Sequence, residues 1–344
     1  MQTKLINFLH PHCATDIKPI LPKGSIPVWP WYTSVSRCEY RPDAFSSVLG
    51  SQPVKEIIAM PDHGMPLVDL IDRRALELLK LDGPIFVMWS GGIDSTTVLT
   101  SILKNWPKED LKRVTVLCNT LSLKENKSFF KHVVKNFKIE QSTHNLEPYC
   151  KRGYVVTGEF GDQILGSDVT YLAVNIWGEQ VIFDDYKKFV PQLYKSIHAD
   201  GGADLWENYR HIANEAPFEL KTVFDFCWWL NFTQKWQHVQ YRCLMSATWK
   251  EPGKYFPKII HFFENDYFQV WSIYNHEKKI TKGWADYKNV AKQYIMDYSK
   301  DPGAITQYKI ASGPNLYVGI DYIWAIDENW KILSKEEAFQ HVVA

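Results

Sequence analysis

Short apolar segments alternate with helix-length segments through the middle of the sequence, and this alternation constrains the fold more than any other feature. Residues 85–89, 114–118 and 154–157 are apolar runs of strand length, and 139–142 is a further candidate strand. Helical periodicity covers residues 67–79, 96–104 and 123–137 between them. Strands that alternate with helices at this spacing form βαβ units, so the sequence predicts an α/β fold with a doubly wound parallel sheet.

Different patterns flank this region, and they divide the chain into three predicted parts. Residues 1–66 are rich in proline, which predicts loops and short strands as an N-terminal addition. The α/β core covers residues 67–215. Residues 216–344 form a mostly helical C-terminal portion, with candidate helices at 221–246 and 284–298 and two tail strands within 316–333 around a turn at 327–329.

Composition excludes several classes of protein. The 39 basic and 39 acidic residues give a net charge of zero, which disfavours nucleic acid as a partner. The N-terminus has no apolar secretory segment, and no apolar run is long enough to span a membrane. The six cysteines form no CxxC pair, so we expect a cytoplasmic protein with reduced thiols and no membrane partner. The 14 Trp, 18 Tyr and 18 Phe residues are expected mainly to fill a core.

A glycine-rich string joins the first predicted strand to the following helix. It reads Ser-Gly-Gly-Ile-Asp-Ser-Thr from Ser90 to Thr96. A helix N-terminus presents free backbone N–H groups, and the glycines allow an anion to approach them closely. The hydroxyl groups add further donors, so the string predicts a phosphate site. Asp94 would repel phosphate unless a cation lies between them, which indicates Mg²⁺.

The string SGGIDSTT resembles the PP-loop of the N-type ATP pyrophosphatases. That superfamily includes asparagine, β-lactam, NAD, GMP and argininosuccinate synthetases, tRNA thiolases and queuosine-precursor synthases. The resemblance implies an adenine nucleotide alpha hydrolase-like sheet and cleavage of ATP into AMP and pyrophosphate. It implies nucleotide contacts from the loop and from the end of the second strand, by Ser90, Gly91, Gly92, Asp94, Ser95, Thr96 and Cys118.

A second glycine-rich string, residues 157–167, follows the strand at 154–157. Because ligands of open α/β sheets bind at the carboxyl ends of the strands, Asp94 and Asp162 are expected to face one crevice and share a magnesium–pyrophosphate group. The string is similar to the SGEGSDELFGG motif of asparagine and β-lactam synthetases. The resemblance implies that Glu159 acts near the acyl-transfer step and that Asp162 is a ligand of Mg²⁺, although Gln163 replaces the second acid of the family.

Two later strings are similar to parts of asparagine synthetases. Residues 261–264 resemble the PFLD string, and residues 284–295 resemble a helix that supplies a phosphate-binding lysine. The resemblance makes Lys292 the first candidate for that catalytic lysine and Lys288 the second. A lysine there would neutralise charge on the leaving pyrophosphate. Both side chains could equally be solvated at the surface.

The resemblance departs at the N-terminus. Glutamine-hydrolysing asparagine synthetases carry a nucleophilic cysteine at position 2 and a glutaminase domain, whereas Gln2 stands here and only 89 residues precede Ser90. We therefore expect a synthetase domain without the glutaminase domain. Its cofactors are ATP and Mg²⁺. Its partners are a small-molecule acid and an amine or ammonia, supplied free or by a separate protein. It would adenylate a carboxylate or carbonyl oxygen and transfer the acyl group to nitrogen.

Alternative functions remain open at this point. One is a PP-loop enzyme that thiolates a nucleobase or forms a nitrile on it, with Cys118 and either Cys150 or Cys243 as thiols. Another is an ATP-binding sensor without turnover. A zinc site at residues 10–13 with Cys38 is disfavoured, because four-coordinate zinc usually needs two ligand pairs. Trp228, Trp229 and Phe232 either line a substrate pocket or belong to the core.

Overall fold

The computed structural model describes residues 6–8, 37, 52–197, 206, 210–244, 248–305, 323, 325–327, 329–334 and 336–337. The suggested zinc ligands at residues 10–13 and Cys38 lie outside this set. Across the described ranges, none of the helices combines the length and the apolar character needed to cross a lipid bilayer.

The strands of the described residues form two sheets. In chain order the strands are β1 Ile6–Phe8, β2 Ile85–Met88, β3 Val114–Cys118, β4 Lys138–Gln141, β5 Tyr154–Thr157, β6 Ile259–His261, β7 Ala325–Asp327 and β8 Ile332–Leu333. Five of them form one sheet in the order β4-β3-β2-β5-β6, with every neighbouring pair parallel. The predicted α/β fold with a parallel sheet is confirmed, and the four candidate strands correspond closely to β2, β3, β4 and β5.

The chain changes direction across this sheet between β2 and β5. It runs from β2 outward to β3 and β4, and it then returns to the other side of β2 with β5 and β6. Such a switch leaves a crevice at the carboxyl ends of the two adjacent strands. Ile85 and Val87 face one apolar core and Phe86 faces a second, so the sheet is covered on both faces. This arrangement is compatible with a doubly wound sheet.

The strand β6 was not predicted. It has three residues, too few to show a periodicity, and its pairing partner is distant in sequence, since Thr157 and His261 are 104 residues apart. Because β6 lies after residue 216, the parallel sheet takes strands from both of the segments 67–215 and 216–344.

Helices surround both faces of the sheet. The α-helices of the described residues are α1 Val54–Ala59, α2 Leu67–Leu79, α3 Ile93–Asn105, α4 Lys108–Leu111, α5 Thr120–Glu125, α6 Lys127–His132, α7 Glu147–Cys150, α8 Gly161–Leu165, α9 Asp168–Trp177, α10 Tyr186–Ile197, α11 Val223–Gln234, α12 Trp236–Tyr241, α13 Pro252–Tyr255, α14 Asp266–Tyr274 and α15 Asn289–Ser299. Short 3-10 helices lie at Val134–Asn136, Glu179–Phe183, Arg210–Glu215, Arg242–Leu244, Phe256–Lys258, His276–Lys278, Trp284–Asp286 and Pro302–Ala304.

Three of the predicted helices are interrupted. Residues 221–246 contain α11, α12 and a 3-10 helix, and residues 123–137 are divided at Asn126, whose side chain accepts the Phe129 N–H as the N-cap of α6. Residues 284–298 contain a 3-10 helix followed by α15. In α11 nearly every residue is buried, so this segment has no single apolar face whose periodicity could mark where the helix ends.

The smaller sheet joins the two ends of the chain. β7 pairs antiparallel with both β1 and β8. β7 and β8 agree with the two predicted tail strands, and Asp327 Oδ1 accepts the N–H groups of Asn329 (2.8 Å) and Lys331 (2.9 Å) in the turn between them. In the proline-rich segment, β1 agrees with the predicted short strands, whereas the helix α1 was not expected.

The aromatic residues of α11 lie in the core. Trp228, Trp229 and Phe232 have no exposed surface. Phe232 lies 5.4 Å from Trp228 and 5.9 Å from Trp229 between ring centroids. The structure therefore favours the core over a substrate pocket for these three side chains.

Candidate functional site

The loop after β2 is tied together by its serines. The Ser90 N–H donates to Ser95 Oγ (3.1 Å), and the Gly92 N–H donates to Ser90 Oγ (3.2 Å). Ser95 Oγ donates to the Gly92 carbonyl oxygen (3.1 Å). α3 begins directly after Gly92, and its first turn carries backbone N–H groups and the positive end of the helix dipole. The loop therefore holds a helix N-terminus, suited to an anion, at the carboxyl end of β2.

Gly91 and Thr96 of the first motif, and Cys118 on the neighbouring strand, are packed against other parts of the protein. Gly91 has a φ of +88°, and a Cβ there would lie 2.6 Å from the Ser122 carbonyl oxygen, so a larger residue does not fit. The buried Thr96 hydroxyl accepts the indole N–H of Trp89 (3.1 Å). Cys118 is buried at the end of β3, the strand that pairs with β2.

The loop after β5 packs directly onto the start of α3. A Cβ at Gly158 would lie 2.7 Å from the Ser95 backbone nitrogen, and a Cβ at Gly161 would lie 2.2 Å from Asp94 Cγ. The absence of side chains at both positions therefore lets the two loops meet. α8 begins at Gly161 and carries Asp162 in its first turn. The two motifs thus lie side by side in the crevice between β2 and β5.

One ammonium group joins the two motifs. Lys288 Nζ donates to Asp94 Oδ1 (2.7 Å), Asp94 Oδ2 (2.6 Å) and Asp162 Oδ1 (2.6 Å). The Lys288 side chain is 7% exposed, whereas those of Asp94 and Asp162 are 21% and 31% exposed. Burial acts to lower the pKa of Lys288, but the two carboxylates outweigh burial and hold that pKa well above its ordinary value. Lys288 is therefore a fixed positive charge between the motifs.

The backbone before α15 sets the position of Lys288. Its φ is +58°, a left-handed conformation that is uncommon for a residue other than glycine. Lys288 is the N-cap of α15 and follows Tyr287. The Tyr287 hydroxyl accepts the Ser167 N–H (3.1 Å) and donates to Asp162 Oδ1 (3.3 Å). Two consecutive residues thus attach the start of α15 to the second motif.

Lys292, the first candidate for the phosphate-binding lysine, has a different partner. Its Nζ donates to the Ala285 carbonyl oxygen (3.1 Å). Burial, followed by repulsion from Lys288, lowers the pKa of Lys292. Of the two candidates, the structure brings Lys288 to the carboxylates of both motifs and gives Lys292 a backbone partner.

Glu159 is held from both ends. Its carboxylate pairs with Arg242, and its backbone N–H donates to Thr157 Oγ1 (3.2 Å). Thr157 Oγ1 lies 2.7 Å from His261 Nδ1, and His261 Nε2 lies 3.2 Å from the Gln240 carbonyl oxygen. Gln240 is two residues before Arg242 in the chain. These contacts therefore form a closed ring of five residues that includes the active-site candidate Glu159.

The protonation of His261 follows from this ring. A carbonyl oxygen only accepts, so Nε2 carries the proton and donates to Gln240, and Nδ1 accepts the Thr157 hydroxyl proton. Burial lowers the pKa of His261 to about 4, and Arg242 acts in the same direction. His261 is therefore neutral at pH 7 and links the ends of β5 and β6 to α12.

Sequence reasoning assigned no role to three residues of this site. His261 was noticed only as part of a string similar to PFLD, and its role depends on β6 pairing with β5. Arg242 has no motif around it. Tyr287 is adjacent to Lys288, but nothing in the spacing of residues 284–295 indicates a helix start between Tyr287 and Asn289.

The donor chemistry of the crevice fits Mg²⁺ only together with phosphate. Proteins commonly hold Mg²⁺ with one or two carboxylates plus phosphate oxygens, which Asp94, Asp162 and a nucleotide would supply. Among the residues that the structure describes, no group of three or more His, Cys, Asp or Glu side chains gathers to hold a metal ion. Asp94 and Asp162 alone therefore offer fewer ligands than Mg²⁺ takes, and phosphate oxygens would have to supply others.

The cysteines near the sheet are poor candidates for sulfur transfer. Burial raises the pKa of Cys118, that of Cys150 to about 12 and that of Cys243 to about 11. The thiolate is the nucleophilic form of cysteine, so these side chains are protonated and weakly reactive near pH 7.

The arrangement as a whole suits an anion only together with a further cation, because its two carboxylates outnumber its one ammonium group. It combines a helix N-terminus, two carboxylates and one ammonium group, with Glu159 on the adjoining loop.

No protein-family model matches the sequence, and no curated protein matches it.

Proposed function

We propose that the protein is an ATP-dependent C–N ligase that forms AMP and pyrophosphate, with an adenine nucleotide alpha hydrolase-like fold. The observation that carries this proposal is the contact of Lys288 with both Asp94 and Asp162 at the ends of β2 and β5. Three segments that resemble parts of asparagine synthetases, far apart in the chain, contribute to this one contact. If residues 90–96 were only a glycine-rich turn, nothing would require these three segments to contact one another.

In the proposed reaction, the nucleotide phosphates lie on the N-terminus of α3, with Ser90 as a hydroxyl donor, while the Ser95 hydroxyl holds the loop through the Gly92 carbonyl oxygen. A carboxylate or carbonyl oxygen of the substrate attacks the α-phosphorus, and the bond to the β-phosphate oxygen breaks. Lys288, rather than Lys292, neutralises negative charge on the departing pyrophosphate. Asp94 and Asp162 would hold Mg²⁺, which supplies further charge neutralisation there.

The second half of the reaction concerns the adenylated acid. A nitrogen nucleophile attacks the acyl carbon, the bond to AMP breaks, and the nitrogen loses a proton. Glu159 is the group proposed to orient the nucleophile or accept that proton. Its ring of contacts with Arg242, Thr157 and His261 supports this role, because a catalytic carboxylate must be held in a defined position.

The experiment is product analysis with Mg-ATP and pooled small-molecule acids and amines, including ammonia. We expect AMP and pyrophosphate from the wild type and a loss of at least about 100-fold in Asp94→Asn, since one such electrostatic contact contributes on this scale. Asp82→Asn, at an exposed turn, is the matched control and should retain full turnover. Far-UV circular dichroism checks that both variants are folded.

The products discriminate between the functions considered. ADP and phosphate would contradict the proposal, as would wild-type turnover in Asp94→Asn. Tight ATP binding without consumption in any acid and amine pool would favour a nucleotide sensor instead.

A further inference from the structure

We propose that the Lys288 ammonium group occupies the divalent-cation position of the nucleotide-free protein, so that the metal ion enters only together with a polyphosphate. Lys288 Nζ lies within 2.7 Å of three carboxylate oxygens that belong to the two predicted metal ligands, Asp94 and Asp162. An ammonium group with short contacts to two carboxylates is placed as a bridging cation would be. The inference rests on the proposed function for the identity of the polyphosphate alone.

At least three of the four carboxylate oxygens of Asp94 and Asp162 already accept hydrogen bonds. Both Asp94 oxygens accept from Lys288, and Asp162 Oδ1 accepts from Lys288 and from the Tyr287 hydroxyl. Two carboxylates and one ammonium group leave a net charge of −1, which attracts a divalent cation only weakly. The protein's own cation therefore competes with the metal for the same ligands.

The burial of Lys288 favours its ammonium group over a metal ion in this competition. The Lys288 side chain is 7% exposed, and its left-handed backbone and its neighbour Tyr287 fix its starting point. A metal ion alone would take the carboxylates and leave a buried ammonium group without its counter-charges, which is strongly unfavourable. A polyphosphate removes this obstacle, because its oxygens can pair with Lys288 while the metal takes Asp94 and Asp162.

The test is the affinity for Mn²⁺ in the absence of nucleotide, measured from the electron paramagnetic resonance signal of the free ion. We expect the wild type to bind no Mn²⁺ in the millimolar range and Lys288→Met to bind it at least about tenfold more tightly. Methionine keeps the length of the aliphatic chain and removes the charge. Lys292→Met is the matched control, since it removes a nearby charge with a backbone partner, and it should behave as the wild type.

Two further measurements keep the inference falsifiable. In the double variant Asp94→Asn, Lys288→Met, the gained Mn²⁺ site should disappear. Mn²⁺ should raise the melting temperature of Lys288→Met and leave that of the wild type unchanged, because only the variant binds the ion when folded. Should Lys288→Met not fold without the metal, Lys288→Gln takes its place.

Either of two results would overturn the inference. One is millimolar or tighter Mn²⁺ binding by the nucleotide-free wild type, which needs no variant. The other is a folded Lys288→Met or Lys288→Gln protein with no more affinity for Mn²⁺ than the wild type. Because the titration contains no nucleotide, its outcome stands even if the protein proves not to cleave ATP.

Discussion

At the scale of single residues, burial sets the ionisation of Glu264. This residue lies three positions after His261, the end of β6. Burial raises the pKa of Glu264 to about 7, although Arg37 and Arg74 act in the opposite direction. The unfolded chain has the ordinary pKa of 4.5, so the folded protein binds this proton more tightly. The resulting contribution to stability is present below pH 4.5 and is lost as the pH rises through 7.

The variant Glu264→Gln imitates the protonated side chain and should remove this loss. The gain in free energy of unfolding over the wild type should be about 2.5 kcal/mol larger at pH 8.5 than at pH 5. Urea unfolding of both proteins at the two pH values measures this double difference. Glu277→Gln, at an exposed position, should show no such difference. An equal effect of Glu264→Gln at both pH values would contradict the prediction.

At the scale of elements, the sequence predicted those strands and loops whose pattern lies within a few consecutive residues. The strands β2, β3 and β5 are continuous apolar runs, and both glycine-rich strings follow a strand and open a helix. Which of the two lysines, Lys288 or Lys292, contacts the carboxylates was not predictable in this way. Both lysines lie in a periodic segment. The contact of Lys288 with Asp94 goes together with a left-handed backbone at Lys288 and with hydrogen bonds from Tyr287 to the second motif, and no local pattern indicates either.

The contact between the two loops leads to a prediction about Gly161. A methyl group there would overlap Asp94 Cγ at 2.2 Å, and the two hydrogen bonds from Lys288 oppose displacement of that carboxylate. We expect Gly161→Ala to cost about 1–3 kcal/mol of stability and to reduce ATP turnover severely. Thermal unfolding and AMP formation measure the two effects.

Gly283→Ala provides the matched control for this substitution. Gly283 has an extended backbone with φ 167°, and among the described residues no heavy atom beyond the chain neighbours lies within 4 Å of an added Cβ. The control should therefore keep both stability and turnover. If Gly161→Ala behaved in the same way, the close approach of the two loops would be wrong.

At the scale of the whole molecule, the chain is held together by contacts that no local pattern indicates. His261 joins β6 to Thr157 of β5, and the β1–β7 pairing joins the two ends of the chain. His276 Nε2 lies 2.9 Å from Asp225 Oδ1 of α11, and its Nδ1 lies 3.1 Å from Lys279 Nζ. Such pairings depend on which segments the complete fold brings together, so the sequence alone could not supply them.

The two buried histidines make the stability of the whole fold sensitive to acid. Burial lowers the pKa of both His261 and His276 to about 4, compared with an ordinary value of 6.5. Between these values the unfolded chain takes up two protons that the folded chain does not, so stability falls as the pH drops below 6.5. Glu264 opposes this effect, because its folded form holds a proton that the unfolded chain releases above pH 4.5.

The combined effect of His261, His276 and Glu264 can be measured as the slope of the free energy of unfolding against pH. Near pH 5.5 the wild type should take up about one net proton on unfolding, so its free energy of unfolding should fall by about 1.4 kcal/mol for each unit of decreasing pH. Glu264→Gln lacks the opposing group and should show about two protons and about 2.7 kcal/mol per unit. Urea unfolding of both proteins from pH 5 to pH 6 gives the two slopes. Equal slopes would show that Glu264 does not hold its proton in the folded state, and a flat slope for Glu264→Gln would show that the pKa values of the two imidazoles are not lowered by burial.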